Sequence, residues 1–357
     1  MKSITKANDV VAGQEKPVKS DEGEAVKFNP FARDYRVNPY PLYHRLRAED
    51  PVHRSVMGQW ILTRYADVNS VLRDRRFGPD PLPQRLKDKS QRLQHEQLDL
   101  SALVKATSQW LFFQNPPDHI RLRRLVSKAF SVNTVECMRP EVQEIVDGLI
   151  DQLRDAEVID IMADLAHPLP VIVIARMLGV PDEDHGQLKT WAYDLIRVFD
   201  SLMSVDAYIH LDQVAREFIA YFRELIAERE KRPKADLISD LLAVREQNDR
   251  LTEDEMLGFC MSLFTAGEET TSDLTGNGML TLLRYPNQME MLKQQPTLIE
   301  SAIEELLRYE SPVQLLVRVS HEDAEIGGKT IHAGERVTAG LGAANRDPAQ
   351  FSSQSYS

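Results

Sequence analysis

Gly267, Glu268, Glu269, Thr270 and Thr271 follow directly on a run that is apolar nearly all round: Met256, Leu257, Phe259, Cys260, Met261, Leu263, Phe264 and Ala266. A carboxylate beside hydroxyls in such surroundings is costly unless hydrogen bonding or chemistry calls for it. Gly267 removes a side chain and lets a neighbour approach the backbone closely. The plainer alternative is a helix kink in which the hydroxyls bond preceding carbonyls.

Two further strings carry charge at helical spacing. In the segment from His119 to Phe130, Leu122, Leu125, Val126, Ala129 and Phe130 form an apolar stripe, and Arg121, Arg124 and Lys128 lie opposite. His119 and Arg123, one turn apart, fall at the edge of the stripe. A guanidinium turned inward wants an anion, from a ligand or from an acid such as Asp118. In the second string Glu305 and Arg308 lie one turn apart, away from the stripe Ile299, Ala302, Ile303 and Leu306. Periodicity alone reads them as an exposed ion pair worth a few tenths of a kcal/mol (~0.3). Cys137 and Cys260 are read as inert thiols, and His167 and His185 receive no role.

The elements that must hold these groups follow from caps and breakers. Thr252 with Glu255 makes a capping box, and Pro286 forbids continuation, which predicts one helix over 253–284. Its length would be about 48 Å. A short helix is expected over 42–49. A hairpin follows over 52–64, turning at Met57-Gly58. Residues 79–108, rich in Lys, Gln, Asp and Pro, form the least regular stretch. From 120 to 309 the period is helical, broken at Pro140, Pro168/Pro170, Pro181, Pro233 and Pro286. After Pro312, strands are expected at 317–319, 325–326, 329–331 and 336–338, with a Gly327-Gly328 turn. The chain therefore reads as mainly α with a minor β part, and no internal repeat is found.

Composition narrows the classes. A net charge of −12 argues against nucleic acid, which would need a basic face. No apolar stretch approaches the roughly eighteen uncharged residues of a membrane span, and the N-terminus has no apolar signal core. Two cysteines suit a reducing cytoplasm. Residues 1–27 read as a disordered polar tail.

Taken in order, the strings H-x-R-L-R-R-L-V, A-G-x-E-T-T, E-E-L-L-R and A-N-R-D-P resemble the cytochrome P-450 family of heme-thiolate monooxygenases in its soluble bacterial form. The resemblance runs over 28–351, leaving 352–357 as a tail unlike the family. It implies the cytochrome P-450 fold, heme b, and insertion of one oxygen atom from dioxygen into a hydrophobic small molecule. Electrons would come from a ferredoxin or flavodoxin, which the basic face Arg121/Arg124/Lys128 could attract. Glu269 and Thr270 would be the catalytic acid–alcohol pair delivering protons, with Glu268 a polar neighbour. Ala266 and Gly267 would adjoin the cofactor. His119, Arg123 and Arg318 would bind its propionates, and Glu305 and Arg308 would belong to a structural network. Phe264, Leu315 and Leu316, with parts of 80–105 and 191–203, would surround the substrate.

The family's F-x-x-G-x-x-x-C loop, which carries the iron-ligating cysteine, is not among these residues. The expectation is a chain incomplete at its C-terminus, with no metal ligand of its own and inactive by itself. The alternative is a non-catalytic binding or scaffold protein.

Overall fold

The computed structural model describes residues 25–93, 99–200, 203–244 and 249–351. Most of the expected N-terminal tail (1–24) and the C-terminal residues 352–357 lie outside the described residues.

Helices α1 (Arg33–Val37) and α2 (Tyr40–Glu49) precede a hairpin of β1 (Val52–Arg54) and β2 (Trp60–Leu62). Gly58 turns it with a φ of +79°, a conformation that suits glycine. Next come α3 (Tyr65–Arg73), β3 (Phe77–Pro79), α4 (Leu82–Leu93) and α5 (Ser101–Ser108). The helical body continues with α6 (Asp118–Ala129), α7 (Val132–Cys137), α8 (Arg139–Gln152), α9 (Pro168–Met177) and α10 (His185–Leu195). It is completed by α11 (Val205–Lys231), α12 (Leu237–Ala243), α13 (Glu253–Arg284), α14 (Pro286–Gln294) and α15 (Ile299–Tyr309). Strands β4 (Leu315–Ser320), β5 (Ala324–Ile326), β6 (Lys329–Ile331) and β7 (Arg336–Gly340) lead into α16 (Leu341–Ala344).

The long helix has the expected bounds. Thr252 Oγ1 accepts from the Glu255 amide and the Glu255 carboxylate accepts from the Thr252 amide, so both halves of the capping box form. Pro286 opens α14 directly beyond the helix end. Residues 79–108 correct the expectation of an irregular stretch, because α4 and α5 pack on each other there. Leu82, Leu86, Leu100, Leu103 and Ala106 bury one apolar stripe beneath a polar surface.

The sheet order is β1-β2-β7-β4-β3, with β2 and β7 parallel and the other pairs antiparallel. β5 and β6 form a separate hairpin through Gly327 and Gly328, both at positive φ. The sheet is thus mixed, and it draws in both the N-terminal hairpin and Phe77–Pro79. The largest core cluster joins α4–α6 and α9–α13, a second lies under the sheet, and a third joins Val26 and Phe28 to Tyr43, Leu46, Ile61 and Ala343. Among the described residues no helix is long and apolar enough to cross a membrane.

Candidate active site

α13 divides its surface sharply around Gly267. Phe264, Thr265, Glu268 and Ser272 are buried, while Ala266 and Glu269 are exposed and Thr270 is half-buried. Ala266, Glu269 and Thr270 therefore share an open side. Thr270 Oγ1 donates to the Ala266 carbonyl at 2.7 Å. Its proton is committed there, so toward a ligand the hydroxyl oxygen can only accept. Thr265 and Thr275 make the same bond one turn back, each at 2.9 Å. That bond is the plain kink chemistry, and only its place on the open side sets Thr270 apart. The close approach expected at Gly267 is made by Ile174 of α9, 2.8 Å from where a Cβ would stand. Gly267 is thus a helix-packing position turned away from the open side.

Beneath that side lies a polar knot that the sequence reading missed. The Glu268 carboxylate meets His167 Nδ1 at 3.1 Å and accepts from Ser272 Oγ at 3.2 Å, and Ser272 also reaches the Ala166 carbonyl at 2.8 Å. His167 thus has a partner, 101 residues away in the chain. Incomplete solvation pushes the Glu269 carboxyl above its ordinary range, and the negative charges of Asp273, Glu268 and Asp200 push it further while His167 opposes them. Asp273 is raised by desolvation and by Glu268, again against His167. A carboxyl that holds its proton more tightly than usual, next to a hydroxyl oxygen that can accept, is suited to general acid work.

One imidazole and two guanidiniums stand apart from these acids. His119 is half-buried, its ring held below the ordinary imidazole range by burial and then by the charge of Arg123. Arg123 is exposed, which corrects the expectation that it turns inward, and no carboxylate of the described residues pairs with it, Asp118 included. Burial lowers the half-buried Arg318, whose guanidinium donates to the Val317 carbonyl at 3.2 Å. Asn115, one turn before His119, approaches Gly78, and Gly78 pairs with Val319. That contact brings the start of α6 beside the Arg318 strand. Two guanidiniums lacking an internal acid, with an imidazole beside them, suit a ligand with paired carboxylates.

Other expectations are corrected by packing. Phe264 is fully buried against Phe218 and Phe222, with ring centroids 6.1 Å away in each case, so it is core and lines no opening. Leu315 packs on the N-terminal cluster and Leu316 on the sheet cluster. Arg121 is drawn onto Asp249 and Glu255, tying α6 to the start of α13, so it does not belong to a free basic face. Arg308 is no surface ion pair. It holds Glu305 through two bonds, donates to the Asn345 carbonyl at 2.8 Å, and has a side chain only 13% exposed. Arg346 in turn caps the Tyr309 carbonyl and Glu310. The E-x-x-R and A-N-R-D-P strings are therefore one clamp.

Cys260 is fully buried, which pushes its thiol up to about 12, and Cys137 is exposed at the end of α7. Neither is a thiolate aimed at the open side of α13, and the described residues hold no cluster able to bind a metal ion.

The same fold occurs in known proteins. The cytochrome P450 family model matches residues 83–354. The biotin biosynthesis cytochrome P450 of Bacillus subtilis (strain 168) is 42% identical over 322 residues, 89% of this chain and 78% of that protein. Among solved structures, P450BioI in complex with hexadec-9Z-enoic acid ligated acyl carrier protein superposes with a TM-score of 0.81 at 40% identity. The match covers 89% of this chain and 80% of that one. CYP109E1 from Bacillus megaterium in complex with testosterone gives 0.75 at 33% identity, covering 88% and 78%. The chain belongs to the cytochrome P450 family of heme-dependent oxidoreductases. The family's cofactor is heme b. The imidazole of His119 and the guanidiniums of Arg123 and Arg318 are hydrogen-bond donors of the kind its two carboxylates would need. A sulfur ligand to the iron of such a group would not come from the buried Cys260 or from Cys137 at the end of α7.

Proposed function

We propose that this chain carries the distal and carboxylate-binding parts of a cytoplasmic monooxygenase that inserts one oxygen atom into a hydrophobic small molecule. The observation that carries this reading is that Glu269, its carboxyl raised by desolvation and by the neighbouring acids, shares the open side of α13 with Thr270, whose oxygen is left to accept. Heme would supply the oxidising chemistry when bound. His119, Arg123 and Arg318 would hold its carboxylates, and Glu269 would hold a proton at its carboxyl and release it toward the Thr270 side. Ferredoxin or flavodoxin is the expected electron donor class. With Arg121 engaged by Asp249 and Glu255, a docking surface for it would rest on other cations. Related proteins crystallised with an acyl chain and with testosterone support a mostly apolar substrate.

The test is hemin titration of the 357-residue chain, followed by absorbance. Uptake should be saturable and about tenfold weaker in Arg318→Ala, a loss of one charge-assisted contact. With carbon monoxide the reduced complex should lack the red-shifted band of thiolate-ligated heme, since neither cysteine is placed to bind iron. Saturable uptake untouched by Arg318→Ala would overturn the carboxylate assignment. A monodisperse chain with a cooperative melt and no uptake at all would favour the non-catalytic scaffold instead.

A further inference from the structure

His167 is set against α13 by the packing of its backbone on both sides of the ring. It follows a π-helical turn, Met162–Ala166, which closes when the His167 amide donates to the Met162 carbonyl at 3.0 Å. Such wide turns are rare and recur at functional sites. Two glycines of α13 admit this segment. Met162 Sδ fills the place of a Cβ at Gly276, and Ile174 of α9 does the same at Gly267. A side chain at either glycine would push the two segments apart.

Between those two contacts the ring meets one turn of α13. Ser272 Oγ lies 2.8 Å from the buried Ala166 carbonyl and 3.2 Å from Glu268 Oε1, and His167 Nδ1 meets the same Oε1 at 3.1 Å. A carboxylate only accepts, so Nδ1 is the donor, and Nε2 is the ring atom that gains or loses a proton. The His167 side chain is 33% exposed and that of Glu268 9%, so the ring is open to water while the carboxylate it holds is enclosed.

The acids around the ring reach it from two sides. Glu268, Glu269 and Asp273 belong to α13, and Asp200, beyond α10, acts on Glu269 from across the site. His167 is the base that opposes them at both Glu269 and Asp273. Other charged groups beside the turn are engaged elsewhere. Asp164 accepts from the Asp160 amide at 2.8 Å, and Glu141 of α8 lies 3.9 Å from Arg176.

We propose that His167 is a positioning residue of the monooxygenase site: its ring pins Glu268 into the seam between α9 and α13, and its charge sets how readily Glu269 gives up a proton. A proton taken from water at Nε2 adds positive charge beside the acids. The Glu269 carboxylate is then favoured over its acid form, and its proton leaves toward the open side. When the ring is neutral, repulsion among the four acids prevails and Glu269 keeps its proton. Uptake at His167 and release at Glu269 are thus coupled. The inference rests on the monooxygenase reading above and adds to it the group that governs its proton donor.

The experiment titrates the Glu269 carboxyl of the full chain by infrared spectroscopy, assigned by subtracting the Glu269→Gln spectrum. His167→Gln keeps a donor for Glu268 and loses the charge. It should raise the midpoint by about 0.3–1 pH unit, a twofold to tenfold gain in proton affinity. His167→Lys, which keeps a charge, should bring the midpoint back below that of the glutamine variant. Ser272→Ala, which loosens the knot and leaves every charge in place, should not move it. A midpoint unmoved in His167→Gln, unrestored by lysine or moved equally by Ser272→Ala overturns the proposal, because a merely structural residue would not select for charge. Coupling of this kind is reciprocal. Glu269→Gln should therefore lower the proton affinity of the His167 imidazole by the same factor, read from its ring resonances. That measurement leaves His167 intact and decides the matter where His167→Gln does not fold, and an unchanged imidazole overturns the proposal. Hemin uptake of the same chains is followed separately by absorbance. A chain that takes up heme with an unmoved midpoint refutes the positioning role alone. A chain that takes up no heme refutes the monooxygenase reading beneath it.

Discussion

From Met256 to Thr265 every residue of α13 except Leu263 is buried, whereas from Leu274 to Arg284 only Gly278 is. Both stretches are rich in apolar side chains. The first is enclosed by α5, α9, α10 and α11, and the second meets α14 and α15. Neither α14 nor α15 contains a buried residue. Leu280, Leu283, Met291, Ile299, Ile303 and Leu307 are all exposed there, and Leu282, Met291, Leu292, Leu298 and Leu306 line an apolar cavity of about 220 Å³. An apolar stripe says which face of a helix wants a partner, and only the neighbours decide whether it has one. Apolar surface that stays open is a binding face or an aggregation liability.

The contrast can be broken most strongly at Phe264. Phe264→Ala should lower stability by about 3–5 kcal/mol, the usual result of emptying an aromatic site in a closed core. Leu283→Ala, at the other end of the same helix, should change it by less than about 0.5 kcal/mol. Denaturant melts of the two variants measure both, and equal losses would mean that the two halves are packed alike.

A smaller effect is expected at the clamp between the open end and the sheet. Arg308→Ala removes the partner of Glu305 and of the Asn345 carbonyl, and should cost about 1–3 kcal/mol. Arg308→Lys should recover only part of it, because an ammonium cannot hold the carboxylate through two parallel bonds. Full recovery by lysine would reduce the clamp to simple charge.

Ile303→Lys should leave stability nearly unchanged while lowering the binding of a dye that reports exposed apolar surface. Unaltered dye binding would place the sticky surface elsewhere. The smallest effect concerns Glu269. Its folded-state carboxyl is raised, so ionisation disfavours the fold. That cost is absent below the unfolded carboxyl range (about 4.3), appears as pH rises through it, and is complete above the folded value. Glu269→Gln should therefore raise the melting temperature slightly at about pH 7, with the gain vanishing near pH 3. A gain that persists in acid would have another cause.

Local chemistry made part of this architecture legible. The Thr252/Glu255 capping box and Pro286 mark both ends of α13, and Gly327-Gly328 marks the turn between β5 and β6, because each signal acts within a few residues. The stretch over 79–108 misled because the buried stripe of α4 is narrow, and polar composition hid its period. Phe264 was misassigned because a type and a position on a helix do not reveal which side faces a neighbour. His167 with Glu268 was invisible because the two are brought together only when α9 packs on α13.

By itself the sequence determined the class of protein, the long helix, and the residue types available for proton transfer and for carboxylate binding. It also determined that its two cysteines are Cys137 and Cys260. Caps, breakers and residue order suffice for that, since they are properties of short segments. Tertiary structure alone decided that Gly267 faces Ile174, that Arg121 is held by acids, that Arg308 clamps Glu305 to the Asn345 carbonyl and that the Trp110 N–H is enclosed without an acceptor. Each of these depends on contacts between segments far apart in the chain, where packing geometry rather than residue type selects the partner.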